Sequence, residues 1–349
     1  MASTGTPCPL DDPPVVVREP GQFRNKPFMH QDNYERDMRL YSGPDRRVIQ
    51  DIQIASCYYN PQGYVRIRQN YDRWIDGLRR FGIEPHVIEL AFDDDPFQLP
   101  EGPRNHQVRG VRSEHLLWQK ERLLNILIDN IPECDAIGWF DCDILFMNPD
   151  WIAGVKETLS THTICQPFAD SYFVESDGSL TCLKRSMGWH SKHDPKNYLN
   201  FGKSHPGFAW VARADWMRKN KLLDDCITGG GDSLMIKATT TDELFIEQWL
   251  NPDWKRSVEK WAEDARSDGG VSIGYVPGAI THLYHGRRSN RKYRERWEYL
   301  TDHDFNPETD IETDPDNGLI RWTASAVNQK PGMVSLVKGY FAERKEDEK

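Results

Sequence analysis

Two aspartates one residue apart, Asp141 and Asp143, sit between apolar runs in Trp139-Phe140-Asp141-Cys142-Asp143-Ile144-Leu145-Phe146. The pattern reads as a buried strand that delivers acid groups to an edge of the core. An ionised carboxylate taken out of water needs a partner, and a divalent cation is a natural one. The plainer reading is a turn after a strand, where Asp is common. A cation needs more ligands than two acids. His282 and His285, far along the chain, supply imidazoles if their segment folds back beside Asp143. Mixed imidazole and carboxylate suits manganese and other transition ions better than calcium. Such an ion neutralises a diphosphate and helps it leave. Two ordinary histidines, one buried and one exposed, give the same spacing. The sequence has no compact four-ligand cluster of the zinc kind.

Gly229-Gly230-Gly231-Asp232 is the second local signal. Three glycines let the backbone approach a ligand or take positive φ. Asp232 then projects from a permissive turn, where it can orient or deprotonate a hydroxyl as general base. A plain turn has the same sequence. Lys120 and Arg122, on a helix before the acidic strand, can contact phosphate or simply solubilise an outer face. The run Arg287-Arg288-Ser289-Asn290-Arg291-Lys292-Tyr293-Arg294 follows the two histidines and concentrates cations there. Leaving-group phosphate is a sensible partner for it; a solvated basic helix face is the alternative. A nucleic-acid acceptor with stacking on Tyr293 or Trp297 is a weaker use of the same patch. Cys142 between the acids reads as packing. The sequence has no GxxxxGK[ST] phosphate loop, no GxGxxG after the first strand and no GxSxG elbow.

The elements that must position these residues read as an α/β protein. Val48 to Tyr59 is a first strand, and Ile67 to Phe81 is a helix with Tyr71, Trp74, Ile75 and Leu78 on one stripe. Pro85 to Phe92 is a second strand, so the order favours a parallel sheet. A second amphipathic helix runs from Glu114 to Ile128, then comes the strand ending at Asp141. Ligands of open α/β sheets bind beyond the carboxyl ends of strands, where the two aspartates fall. Thr163 to Phe168 is a short strand. Residues 170–206 read as a long polar loop closing over a ligand. Gly207 to Ala212 resumes apolar character. A helix at 242–250, a strand at Ser272 to Pro277 and a basic helix at 289–300 follow. Residues 1–45, rich in Pro, Gly, Asp and Arg, read as an extended or poorly ordered arm.

A chain of 349 residues with 38% hydrophobic and 28% charged residues suits a soluble globular protein. Its net charge of -10 argues against bulk attraction to nucleic acid or anionic membrane. Most of the twelve Trp are assigned to packing. Seven scattered Cys without a CxxC pair weakly favour a reducing compartment. No apolar run approaches a membrane span or a signal peptide, so the cytoplasm is the default.

The ordered set of motifs resembles the nucleotide-sugar glycosyltransferases of the GT-A fold. Asp141-Cys-Asp143 is similar to their metal-binding DxD motif. Gly207-Phe-Ala-Trp-Val-Ala-Arg213, then Gly229-Gly-Gly-Asp232, then His282-Leu-Tyr-His285 resemble the layout of the beta-1,4-galactosyltransferase and polypeptide N-acetylgalactosaminyltransferase-like group. The resemblance spans about residues 50–300. It implies a Rossmann-like, mostly parallel central sheet flanked by helices with a long active-site loop region, over 46–300, with 301–349 as an extension packed on that domain. It implies a nucleoside-diphosphate-sugar donor, UDP above all, and Mn2+ or Mg2+ as cofactor. Asp143 is the direct metal ligand, completed by His282 and His285, where the galactosyltransferases carry a Met and a His. Asp141 contacts ribose or metal-bound water, with Lys120 and Arg291 as further donor contacts. Asp232 is the acceptor base, in a segment one acid shorter than the family's Gly-Gly-Glu-Asp. Arg213 and Trp210 border donor or acceptor. The donor pocket begins near Ala55 to Asn60, within reach of Arg66 or Arg68. The expected reaction is hexosyl transfer to a hydroxyl, with inversion if Asp232 is the base. Glycan, protein, small molecule and nucleic-acid base remain open as acceptors. A missing membrane anchor points away from a Golgi arrangement and toward a bacterial, phage or large-virus cytosolic enzyme. The competing readings are a sugar-phosphate nucleotidyltransferase and a noncatalytic carbohydrate-binding module.

Overall fold

The computed structural model describes residues 46–200, 202–240, 250–267 and 269–348. The arm expected over 1–45 and nearly all of the helix expected over 242–250 lie outside the described residues.

The described residues contain fourteen strands: β1 (Ile52–Tyr59), β2 (His86–Phe92), β3 (Asn105–Gly110), β4 (Ala136–Phe140), β5 (Ile144–Phe146), β6 (Ile164–Gln166), β7 (Asp170–Val174), β8 (Leu180–Ser186), β9 (Ser204–His205), β10 (Ala209–Arg213), β11 (Ile273–Tyr275), β12 (Ala279–His282), β13 (Ile311–Thr313) and β14 (Ile320–Trp322). Seven form a central sheet in the order β11-β6-β10-β4-β1-β2-β3. All neighbours in it are parallel except β10, which runs antiparallel to both β4 and β6. This is a mixed α/β architecture with a mostly parallel sheet and helices on its faces.

The period of two along β1 divides the core. Ile54 and Tyr58 face one apolar cluster with Trp74, Leu78 and Trp151, and Ala55 faces the other with Leu117, Leu123 and Leu127. The helix Val65–Arg79 buries Tyr71, Trp74 and Leu78 on its stripe. Trp74, Trp151, Trp210 and Trp254 are wholly buried, so these rings serve packing; each such side chain contributes roughly 1.5–3 kcal/mol by leaving water. Leu319, Trp322, Met333, Val337 and Phe341 of the C-terminal part join the same cluster as Leu117.

Three expectations need correction. Residues 170–206 are not one irregular loop: β7 and β8 form an antiparallel hairpin, the helix Met187–His193 follows, and β9 pairs with β8. The hairpin turns at Asp177-Gly178, with Gly178 at φ 83°, a turn signal that the surrounding polar residues hide. The helix expected from Glu114 is split into Arg112–His115 and Lys120–Asn130. Tertiary hydrogen bonds hold the break: Trp118 N donates to Ile227 O, and Gln119 Nε2 donates to Ile320 O and His115 O. The basic stretch 289–300 is likewise a 3-10 turn, Arg288–Arg291, then a left-handed Lys292 and the helix Glu295–Thr301. No described helix is long and apolar enough to cross a membrane.

Candidate active site

The chain leaves β4 at its carboxyl end, beside β1, where the sheet order reverses direction: β2 lies on one side of β1 and β4 on the other. Such a switch point opens a crevice in α/β sheets. A cleft of about 860 Å³ lies there, lined by Cys57, Tyr58 and Tyr59 from the end of β1 and by Phe140 to Asp143 from the end of β4.

A second sheet, in the order β5-β12-β7-β8-β9, closes one wall. Its first pairing spans the sequence gap between the aspartates and the histidines. β5 and β12 are antiparallel with His282 opposite Ile144, and Leu283 N donates to Asp143 O at 2.7 Å. This register sets the histidine segment directly over the acidic turn. His282 Nε2 and His285 Nε2 lie 2.9 Å apart, and each is 3.5–3.6 Å from Asp143 Oδ2. Ligand atoms of Asp143, His282 and His285 all fall within 4.8 Å of one another. Asp143 Oδ1 is buried without a hydrogen-bond partner. Burial works against the Asp143 carboxylate, but His282, Arg291 and Lys120 draw its pKa below the usual value.

Asp141 is anchored differently. Its N–H donates to Phe208 O at 2.8 Å, and its carboxylate takes the ammonium of Lys120. Burial pushes the Asp141 carboxyl up, with Lys120 opposing and Asp143 adding. Burial also disfavours the Lys120 cation, but Asp141, Asp232 and Glu121 together hold its pKa above the ordinary lysine value. Lys120 therefore stays charged in the cleft. Arg122 turns away, to Gly318 O and Asp224.

Asp232 lies in the first turn of the helix Gly231–Thr240 rather than in a free turn. Gly229 and Gly230, both at positive φ, make the entry to that helix. A Cβ on Gly230 would stand 2.6 Å from the Trp297 ring, and one on Gly229 3.2 Å from Trp118. The aromatic wall thus demands glycine there. A Cβ on Gly207 would stand 2.5 Å from Asp232 Oδ2, so the Gly207 backbone forms the floor under this carboxylate. The next residue, Phe208, has φ 79°, a strained position for a bulky side chain and one that concentrates at functional sites. His205 stacks on the Phe208 ring with centroids 3.7 Å apart.

Two buried acids of the cleft carried no signal in the sequence. Glu121 packs against Gly231, its Oε1 2.8 Å from where a Cβ would sit, and burial pushes its carboxyl up to about 8. Glu346 enters from the C-terminal tail and takes Arg291 Nη1 at 3.1 Å; burial pushes it up to about 7. Arg291 also donates to His285 O at 2.8 Å. Four expected neighbours are absent from this group. Trp210 is core, stacked on Trp139 with its indole N–H on Pro206 O. Arg213 is buried and donates to Leu159 O and Ser160 O. Arg68 pairs with Asp72, and Arg66 lies over the Tyr284 ring.

No protein family model matches this chain. No curated protein matches it either. Among solved structures, a mannosyltransferase from Pyrobaculum calidifontis in complex with GDP-Man and Mn2+ is similar over 76% of this chain and 68% of its own, with 15% identity and a TM-score of 0.40. A glucosyl-3-phosphoglycerate synthase from Mycobacterium tuberculosis, in complex with Mn2+, UDP and glucosyl-3-phosphoglycerate, is similar over 83% of this chain and 90% of its own, with 11% identity and a TM-score of 0.37. A 4-diphosphocytidyl-2C-methyl-D-erythritol synthase from Anaerococcus prevotii is similar over 65% and 89%, with 10% identity and a TM-score of 0.31.

Proposed function

We propose that this chain transfers a sugar, a hexose in the simplest case, from a nucleoside-diphosphate-sugar to an acceptor hydroxyl with the help of Mn2+ or Mg2+. UDP is the favoured nucleotide. The observation that carries the reading is the meeting of Asp143, His282 and His285 at one point of a deep cleft. The donor set fits a divalent ion: one carboxylate oxygen is orphaned, and two imidazole nitrogens face each other closely. When bound, the ion supplies positive charge that stabilises the departing diphosphate.

The other roles fall to the chain itself. Arg291, fixed by Glu346 and by His285 O, offers a guanidinium to phosphate oxygen. Lys120 and Asp141 hold the nucleotide end as a charged pair. Asp232 takes the proton of the acceptor hydroxyl as that oxygen bonds to the anomeric carbon. The bond from that carbon to phosphate oxygen breaks, its electron pair leaves with the diphosphate, and the configuration inverts.

NMR comparison of donor and product anomers tests the base: inversion is expected, and retention would reduce Asp232 to an orienting residue. Asp143→Asn and Asp232→Asn are each expected to lower turnover by roughly 10²-fold or more while the circular dichroism spectrum is kept. Pyrophosphate release from nucleoside triphosphate and sugar phosphate would replace transfer with nucleotidyl synthesis.

A further inference from the structure

We infer that Glu346, on the C-terminal tail, is a positioning residue of the proposed metal centre: it braces His285 and Arg291 so that both face the cation and the diphosphate. The inference rests on the metal reading above and deepens it. Glu346 is 4% exposed, and a carboxylate is not buried this far without partners. Oε1 takes Arg291 Nη1 at 3.1 Å and Arg344 Nε at 2.6 Å, and Oε2 faces His285 Nδ1 at 3.7 Å.

The two nitrogens of His285 therefore have different neighbours. Nδ1 looks back to Glu346, and Nε2 looks toward His282 Nε2 and Asp143 Oδ2. At 3.7 Å the Glu346 carboxylate acts on His285 by charge rather than through a hydrogen bond. A carboxylate behind an imidazole favours the proton on the near nitrogen and the lone pair on the far one, and raises its basicity toward a metal. The same carboxylate offsets the Arg291 charge, which otherwise stands beside the ligand nitrogen with Nη2 3.3 Å from His285 Nε2.

The tail is built to hold this place. Asp347 accepts from the N–H groups of Val65 and Arg66 at 3.0 and 2.8 Å, so it caps the helix Val65–Arg79 from a distance of nearly the whole chain. Glu348 is tied by Tyr284 Oη and Asn290 Nδ2. Gly286 has φ 90°, and a Cβ there would stand 3.0 Å from Glu346 Cα and Lys345 O. The turn after His285 thus admits the tail only because it ends in glycine.

Mn2+ titration of the donor-free full chain by electron paramagnetic resonance tests the inference. Glu346→Gln, nearly the same shape without the charge, is expected to weaken Mn2+ roughly 10–100-fold with unfolding temperature kept, whereas Glu312→Gln, in an exposed pair with Arg321, leaves the affinity unchanged. Equal affinity in Glu346→Gln and the unmodified chain overturns the inference and leaves the metal centre standing. Absence of Mn2+ binding by the unmodified chain overturns both. A measurement free of any variant is the nitrogen NMR spectrum of the metal-free protein at alkaline pH. The proton of His285 is expected on Nδ1, and a proton on Nε2 overturns the brace.

Discussion

At the scale of single residues, the cleft gathers more buried titratable groups than a core holds without a purpose, and Glu121 is the clearest case. Its carboxyl packs on Gly231 beside Asp232 and Lys120. Burial raises its pKa to about 8, against an ordinary 4.5, with Lys120 pulling down and Asp232 pushing up. The folded chain thus keeps a proton that the unfolded chain releases between those two values. Over that window the unfolded state binds fewer protons, so stability falls as pH rises and levels off above the folded pKa. Glu121→Gln removes this slope. Its thermal unfolding temperature should gain on that of the unmodified chain from pH 5 toward pH 8, by an amount on the order of a few kcal/mol in stability. Parallel curves over that range would mean that Glu121 is already ionised in the fold. The difference between Glu121 and the aspartates also marks what a sequence reveals. Asp141, Asp143 and Asp232 stand next to apolar runs or glycines, and that context flags an acid as unusual. Glu121 and Glu346 sit among Lys, Arg and Glu, in Gln-Lys-Glu-Arg and Glu-Arg-Lys-Glu-Asp-Glu-Lys. Such runs are the composition of a solvated face, and only tertiary packing turns those two side chains inward.

At the scale of elements, β1, β2, the first helix and the strand before Asp141 follow from apolar run length and periodicity. The parallel strand β3, polar in Asn-His-Gln-Val-Arg-Gly, is not legible that way. Nor are elements held by distant hydrogen bonds. The break at Leu116 to Gln119 exists because Ile227 and Ile320 supply partners from far along the chain, and no local pattern announces that. The helix Met187–His193 likewise sits inside a polar stretch, and its position depends on one close crossing. A Cβ on Gly188 would stand 2.3 Å from Gly274 O and 2.9 Å from Tyr275 Cβ, while a Cβ on Gly274 would stand 2.2 Å from Thr158 Cγ2. β11 is therefore threaded between the helices Met187–His193 and Trp151–Leu159 at glycine spacing. Backbone oxygen cannot rotate aside as a side chain can. Gly188→Ala should lower stability in urea by about 1–3 kcal/mol through overpacking, with the helix displaced from β11. An unchanged unfolding midpoint would show that this crossing has slack.

At the scale of the molecule, three remote segments make one site. Asp143 comes from the junction of β4 and β5, His282 and His285 from β12 and the turn beyond it, and the tail closes behind them. The proposed ligand set comes together only in the folded chain, so an ion that bound it would stabilise the fold by mass action. Mn2+ at a hundred times its dissociation constant should add about 2.7 kcal/mol, a rise of a few degrees in unfolding temperature for a chain of this size. Asp143→Asn should abolish the rise. The control is informative because the described residues hold a second cluster with the right atom types, Glu114, His115 and Asp314. That cluster is already satisfied. His115 Nδ1 accepts from Val111 N at 2.9 Å, Nε2 lies 2.9 Å from Asp314 Oδ2, and Arg321 brings its own cation to 3.3 Å from the same oxygen. An ion entering there would have to displace a guanidinium and break a buried pair, at a cost the orphaned oxygen of Asp143 does not impose. A Mn2+-induced rise that survived in Asp143→Asn but vanished in Asp314→Asn would place the ion at this second cluster and leave the cleft without its metal.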